Sequence, residues 1–504
     1  MKAAKKDKQS AEFGDFQTPI ELARLACRII AEQKVKPVSI VEPTCGTGNF
    51  IVAALEQFSE IQNVIGLDIN PDYVQAAISA VHGCSHTGEV RIKCDSFFDV
   101  DWPKLLRGLP DPVLIIGNPP WVTNAELGTI GSWNLPPKTN FHNRAGLDAV
   151  TGSSNFDISE WMLLRMLECL DGREATMGML CKTAVARKVL AYAWDKQIKL
   201  ERSEMYLIDA KQHFGAAVDA CLLVCHMFGS TCNRECSVYT SISAKKQAHT
   251  IGYRDGQLIA EVSLYERWKH LQGEEPAFKW RSGVKHDCAK VMEFRKENGR
   301  YRNGMGELVE LEDEYVFPML KSSDIAKGWV SWPRRWMLVT QKTVSSDTLD
   351  IMHRAPKTWN YLNGHSAFLD RRASSIYRNR PQFSVFGVGS YSFAPWKVAI
   401  SGFYKRLAFN LVGRFEGKPI ILDDTSYFIP CHSKQEAECL VSLLNSNIAK
   451  EFFQSFVFWD AKRPITIGLL RRLNLSAIAH ELETEEMMAR YLFQRGSLMG
   501  RLQQ

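Results

Sequence analysis

At 504 residues the chain is too long for one ordinary domain, and two or three are expected. A 45% hydrophobic fraction supplies sizeable cores and argues against disorder, while a net charge of +6 permits a nucleic-acid partner without demonstrating one. No apolar run reaches the ~20 residues needed to span a membrane, and residues 1–8 are charged and lack the apolar centre of a signal peptide.

Residues 38–41 read as a strand, followed by a glycine-rich turn and a helix over about 50–58. A second strand is expected at 63–68, and Pro71 opens the next helix, where its missing N–H is harmless. Third and fourth strands are expected at 90–95 and 113–117. Residues 122–155, rich in Gly, Asn, Ser and Pro, read as a long loop of the kind that is usually functional or disordered. Helical periodicity resumes at 156–170, and strands at 175–183 and 217–227. This alternation implies an α/β unit, a parallel sheet with helices on both faces. Cys221, Cys225, Cys232 and Cys236 invite a zinc reading. Cys221 and Cys225 share one strand-like run, however, where four residues span roughly 13 Å, too far for two ligands of one ion. The thirteen cysteines, without regular spacing, are read as reduced thiols of a cytoplasmic protein, and no metal is expected. Beyond residue 235 the strands shorten, with Trp, Tyr, Arg and Pro scattered between them, and a domain boundary is expected at 245/246.

The first strand runs into Glu42-Pro43-Thr44-Cys45-Gly46-Thr47-Gly48-Asn49-Phe50. Gly46 and Gly48 would let the backbone approach a ligand at the carboxyl ends of the strands. Asp68 ends the second strand, where an acid can accept from both hydroxyls of a ribose. Asp95 ends the third, where a carboxylate can accept from an adenine amino group. The spacing after Gly48 does not continue as GxGxxG, which disfavours a dinucleotide and suits a small adenosyl ligand such as S-adenosylmethionine.

The fourth strand runs into Asn118-Pro119-Pro120-Trp121. An adenine amino nitrogen is a poor nucleophile because its lone pair is delocalised into the ring. The Asn118 side-chain oxygen and the Pro119 carbonyl can accept its two hydrogens and favour a tetrahedral nitrogen with its lone pair restored. Proline restricts its own backbone and its neighbour's, so the two acceptors are pre-organised. Trp121 would stack on the base, which must first be flipped out of a duplex.

These residues together resemble the gamma-type, TaqI-like, DNA adenine-N6 methyltransferases of restriction–modification or defence systems. In that family a Thr-Pro segment comes first, then the glycine turn, two acids and NPP[YFW], with a recognition domain last. Phe16-Gln17-Thr18-Pro19 match the leading segment, and the glycine turn, Asp68-Ile69, Asp95-Ser96 and NPPW follow in order. The resemblance implies S-adenosylmethionine as cofactor. It would be held by Phe16, Gln17, Thr18 and Pro19, by Glu42, Pro43, Cys45, Gly46, Gly48 and Phe50, and by Asp68, Ile69, Asp95, Ser96 and Asn118. Asn118, Pro119, Pro120 and Trp121 would be the catalytic set. His213-Phe214-Gly215 resembles the family segment whose phenylalanine stacks on the other face of the flipped base, a role this implies for Phe214. Trp121 departs from the commoner tyrosine, and Ala217 stands where one family member has a lysine.

The likeness continues through 281–285 with Cys288, then 318–325, 423–428 and 443–446. It implies a Rossmann-like class I methyltransferase domain over 1–245 and a mixed α+β target-recognition domain over 246–504. Arg371, Arg372, Arg378 and Arg380, interleaved with Tyr377 and Phe383, mark a DNA-binding segment, to which Lys405-Arg406 and Lys462-Arg463 add charge. The implied partner is double-stranded DNA. With the cofactor segment inside the first 20 residues, no upstream nuclease domain is expected, and a restriction endonuclease or defence-system subunit would be a separate chain. The oligomeric state, the recognition sequence and the base-reading residues are left open. The rival readings are an RNA base amino-methyltransferase and a catalytically silent DNA-recognition subunit.

Overall fold

The computed structural model describes residues 17–122, 157–229, 231–344, 346–486, 488–492 and 495. Phe16 and the expected loop at 122–155, apart from Val122, lie outside the described residues. The chain divides into two compact units, Met1–Val262 and Ser263–Gln504.

The first unit opens with helix α1 (Ile20–Glu32), then β1 (Ser39–Glu42), α2 (Asn49–Gln57), β2 (Asn63–Asp68), α3 (Pro71–His82) and β3 (Glu89–Cys94). Next come α4 (Trp102–Arg107), β4 (Val113–Gly117), α5 (Ile158–Leu170), β5 (Ala175–Lys182), α6 (Thr183–Asp195), β6 (Arg202–Ile208), α7 (Ala210–Phe214) and β7 (Ala220–Met227). Strands β8 (Glu235–Tyr239), β9 (His249–Arg254) and β10 (Gln257–Ile259) complete one ten-stranded sheet, ordered β10-β9-β8-β6-β7-β5-β4-β1-β2-β3.

Strands β1 to β5 pair in parallel, with Val41 opposite Ile65 and Ile115. β1 and β4 are buried along their whole length, as apolar strands covered on both faces must be. The sheet is not parallel throughout, as had been expected. β7 inserts antiparallel between β5 and β6, and β9 and β10 add an antiparallel edge. That edge also moves the division between units from the expected 245/246 to Val262/Ser263, because β9 and β10 hydrogen-bond into the first sheet.

Strand order reverses between β1 and β4, since β1 leads outward to β2 and β3 and β4 leads the other way to β5. A crevice opens at the carboxyl ends of the strands where order reverses, and ligands of open α/β sheets bind there. The glycine turn follows β1 and the NPPW segment follows β4, so both line that crevice.

The second unit is mixed α+β. It holds an antiparallel sheet, β11 (Arg281–Ser282), β22 (Ser426–Cys431), β17 (Trp396–Ser401) and β18 (Asn410–Val412), in that order. A six-stranded sheet combines β14 (Leu308–Val309), β13 (Arg300–Asn303), β12 (Glu293–Glu297), β16 (Arg335–Leu338), β15 (Val316–Leu320) and β21 (Ile421–Leu422). A hairpin, β19 (Arg414–Phe415) with β20 (Lys418–Pro419), stands beside them.

The segments that carried the C-terminal resemblance converge. The Val284 N–H donates to the Leu422 carbonyl at 2.7 Å, and the Asp423 N–H to that of Leu320 at 3.2 Å. The Ser322 hydroxyl reaches the Thr425 carbonyl at 3.2 Å. Asn445 is bonded both ways to the backbone of Phe409, at 2.7 and 3.1 Å. These motifs are knots that hold the second unit's sheets together.

Candidate active site

Gly46 adopts φ +50° and Gly48 φ +84°, both left-handed conformations open to glycine at no steric cost. A Cβ on Gly46 would lie 2.4 Å from the Gln17 side-chain oxygen. Gln17 thus lies across the turn, and its oxygen accepts from the Thr47 N–H at 3.1 Å. The Asn49 amide donates to the Thr18 carbonyl at 2.8 Å, so the Thr-Pro segment is pinned to the start of α2.

Asp68 closes the turn from β2. One carboxylate oxygen accepts from the Gly46 N–H and the other from the Asn70 N–H, each at 2.8 Å. Asp95 is exposed at the end of β3, with its backbone N–H bonded to the Asp68 carbonyl at 3.0 Å. Ile69 is half-buried beside Asp68, and Ser96 is buried, its hydroxyl accepting from the Phe98 N–H at 3.2 Å. Neighbouring strands lie about 4.8 Å apart, so the ends of β1, β2 and β3 span roughly 10 Å. An adenosyl group has about that length. Narrow glycines, a carboxylate at the middle strand and an exposed carboxylate at the far one suit its polar edges, so the residues fit S-adenosylmethionine.

Several expected cofactor residues lie beneath this surface. Phe50 is 1% exposed and belongs to the core, so it supports the turn from below and presents no face to a ligand. Pro43 and Cys45 are buried too, and burial raises the Cys45 thiol well above its usual range. Glu42 is 2% exposed. Burial, reinforced by nearby Asp68, holds its carboxyl well above the usual carboxylate range against a backbone hydrogen bond from Ile51. Among the described residues its Oε2 has no hydrogen-bond partner. Glu42 thus lies in the floor beneath the turn, where burial disfavours its charged form.

The two halves of the site meet across β1 and β4. The Thr44 hydroxyl donates to the Asn118 carbonyl at 3.4 Å, tying the glycine turn to the NPPW segment. Pro119 is buried, Asn118 and Pro120 are half-buried, and Trp121 is 5% exposed. Phe214, the last residue of α7, brings its ring to 5.1 Å from that of Trp121, at an interplanar angle of 73°. The two rings expected to flank a base are therefore adjacent, in edge-to-face contact.

Sequence reasoning missed the group that anchors the far side. The Lys182 ammonium, at the end of β5, donates to the Trp121 carbonyl at 3.0 Å and to Asp157 at 2.7 Å. Asp157 caps α5 by accepting from the Ser159 N–H at 3.1 Å, and the Ile158 N–H donates to the Val122 carbonyl at 3.0 Å. Residues 121–122 are thus held by both β5 and α5. A lysine closing a strand was the only sequence signal, and a lysine there usually points to solvent.

In the second unit, the arginine segment is partly structural. Phe383 is 1% exposed in the core. Arg372 donates to the carbonyls of Leu369 and Ser384 at 2.8 and 2.7 Å, with its guanidinium 3.7 Å over the Tyr377 ring. Both leave the DNA-binding set, while Arg371, Arg378 and Arg380 are exposed. All thirteen cysteines are free, and Cys221, Cys225 and Cys236 have no exposure. Among the described residues no helix is long and apolar enough to cross a membrane.

Comparison with known proteins shows the family. The family model described as N-6 DNA Methylase matches residues 2–188. The chain is 46% identical over 473 residues to the Type II methyltransferase M.NspV of Nostoc sp., covering 94% of this chain and 98% of that protein. Among solved structures, the Type IIL restriction-modification enzyme MmeI in complex with DNA aligns over 93% of this chain with a TM-score of 0.53 at 12% identity, and this chain spans 65% of that longer one. A protein from Listeria monocytogenes described as a class I S-adenosylmethionine-dependent methyltransferase aligns over 46% of this chain and 68% of its own, with 13% identity and a TM-score of 0.33. The chain belongs to the N-6 DNA methylase family, and it is an S-adenosylmethionine-dependent, site-specific adenine-N6 DNA methyltransferase of restriction–modification type, built on a Rossmann-like class I fold.

Proposed function

We propose that residues 118–121 hold a flipped adenine, and that the second unit is the target-recognition domain that brings duplex DNA to them. The observation that carries this is the Thr44–Asn118 hydrogen bond, which joins the glycine turn and the NPPW segment at the adjacent ends of β1 and β4. When bound, S-adenosylmethionine supplies an electrophilic methyl group, and Gln17, the Gly46–Gly48 turn, Asp68 and Asp95 would hold it. The Asn118 side-chain oxygen and the Pro119 carbonyl accept the two amino hydrogens and orient the nitrogen lone pair toward the cofactor side. Placement at fixed acceptors supplies much of the rate. No strong base is required before attack, because the amino proton becomes acidic once nitrogen carries the new substituent.

Trp121 stacks on the base, and Phe214 covers its second face. Parallel rings on both faces require about 7 Å, two contacts of roughly 3.5 Å each, whereas the ring centroids lie 5.1 Å apart. Base entry therefore parts this pair, Trp121 being buried and Phe214 half-buried at the end of the five-residue helix α7. The protein works in the cytoplasm, a reading supported by its free thiols, and any cognate nuclease is a separate chain.

Transfer of tritiated methyl groups to duplex DNA, RNA and protein tests the reading. Label is expected in duplex DNA as N6-methyladenine. Asn118→Ala should abolish transfer while DNA is still bound. Label on RNA alone, or turnover retained by the variant, would sink it.

A further inference from the structure

Two segments far apart in the sequence, 402–406 and 462–465, lie side by side in the second unit. Gly402 follows β17 and packs so closely that a Cβ there would lie 2.8 Å from the Tyr427 ring and 3.4 Å from the Ile465 carbonyl. Immediately beyond, the Arg463 guanidinium sits 4.6 Å over the Phe403 ring. Phe403 is 39% exposed and Tyr404 42%. Lys405, Arg406, Lys462 and Arg463 are all exposed.

Among the described residues, none of these four cations has an ion-pair partner. Other cations of the unit do meet acids: Arg300 and Lys357 share Glu310, Lys296 meets Glu416 at 2.6 Å, and Lys418 meets Asp313 at 2.7 Å. Residues 402–408 and 461–466 contain no acid, and the adjoining acid is Asp460. Four uncompensated like charges gathered on one surface repel one another, and exposed aromatic rings among them gain nothing from water. A polyanion relieves the first cost and covers the second. A phosphodiester backbone suits this surface in particular: guanidinium groups bind phosphate oxygens, cations release condensed counterions, and an arginine stacked on a ring is held in place to do so.

We propose that Phe403, Tyr404, Lys405, Arg406, Lys462 and Arg463 form the surface by which the second unit grips the phosphodiester backbone of duplex DNA. This rests on the DNA methyltransferase assignment and adds to it a specific face. The cations contact phosphates, Phe403 fixes the Arg463 guanidinium, and Tyr404 presents a ring and a hydroxyl beside them.

The test is fluorescence anisotropy of a labelled duplex carrying the methylation site, with the full chain, across a series of salt concentrations. Each phosphate contact contributes about 0.9 to the slope of log affinity against log salt. Lys405→Ala/Arg406→Ala and Lys462→Ala/Arg463→Ala should each lower the slope by about 1.8, which is roughly 30-fold weaker binding at 0.15 M salt. Phe403→Ala should weaken binding by a smaller factor. Arg300→Ala/Lys357→Ala, which removes paired cations, should leave the slope unchanged. Thermal midpoints and S-adenosylmethionine binding should match wild type in all four. Double variants of the patch that keep the wild-type slope overturn the assignment, as does weaker binding at an unchanged slope. A wild-type chain that retains no duplex DNA overturns both the assignment and the activity on which it rests.

Discussion

Lys182→Met removes the ammonium that holds the NPPW segment from behind. It deletes a bond of 3.0 Å to the Trp121 carbonyl and one of 2.7 Å to Asp157, whose side chain is 8% exposed against 24% for Lys182. Breaking a fully buried ion pair costs about 3–5 kcal/mol, and a hydrogen bond to a charged group about 1.5–3 kcal/mol. Quarter exposure of the lysine and the remaining bond from the Ser159 N–H to Asp157 place this loss at the lower end, about 2–3 kcal/mol. For a unit of this size that lowers the unfolding midpoint by roughly 5–10 °C. The carbonyl released belongs to Trp121, whose ring we propose stacks on the base. A displacement of about 1 Å at such a position can slow the chemical step roughly 100-fold.

Calorimetry of the first unit's transition and single-turnover methyl transfer measure the two effects. A 2-aminopurine base at the target position reports stacking directly. Transfer should fall about 100-fold while the affinity for duplex stays near wild type, and Lys182→Arg should recover much of both losses by keeping the charge. Stability within about 0.5 kcal/mol of wild type together with unchanged single-turnover rates would refute the argument.

Two further expectations follow from the first unit. Asp68→Ala removes the acceptor of the Gly46 and Asn70 N–H groups, both at 2.8 Å. At about 1.5–3 kcal/mol per charge-assisted bond, S-adenosylmethionine affinity measured by calorimetry should drop by at least tenfold, and an unchanged affinity would place the cofactor elsewhere. His226 is 1% exposed, and burial, with Arg202 beside it, depresses its pKa from 6.5 to about 3. The unfolded chain then binds the proton that the folded one refuses. Stability from this group is therefore full above pH 6.5 and is lost as pH falls toward about 3, by a few kcal/mol at most. Buried Glu204, whose carboxyl burial pushes upward, opposes part of that loss. His226→Gln should flatten the acid limb of the first unit's stability curve between pH 6 and pH 4 by this linkage, and an unchanged limb would refute it.

Much of the catalytic unit was legible because its signals are local. Residues 63–68 and 113–117 form strands over the very spans their apolar runs indicate. The glycine turn and Asn118-Pro119-Pro120-Trp121 each follow a strand directly, and Asp68 ends one, so reading the strand also places the residue at its carboxyl end. Phe50 shows the limit of that reasoning. Its position beside Gly48 suggested a ligand contact, but the helix that begins there turns its ring into the core.

What the chain order alone indicated was the order of the parts, a glycine turn, two strand-end acids and Asn118-Pro119-Pro120-Trp121, each at the end of a strand of an α/β unit. Tertiary structure decided the features that depend on pairing between distant segments. β7 enters antiparallel between β5 and β6, and hydrogen-bond register across strands is not written in the periodicity of either strand. Lys182 reaches the Trp121 carbonyl only because β4 and β5 are neighbours. Arg372 and Phe383, read as DNA-binding, were drawn inward by carbonyls and core around them, while Lys405, Arg406, Lys462 and Arg463 were left outside without counter-charges. Burial and ion pairing depend on what folds against a side chain, which the residue types alone do not state.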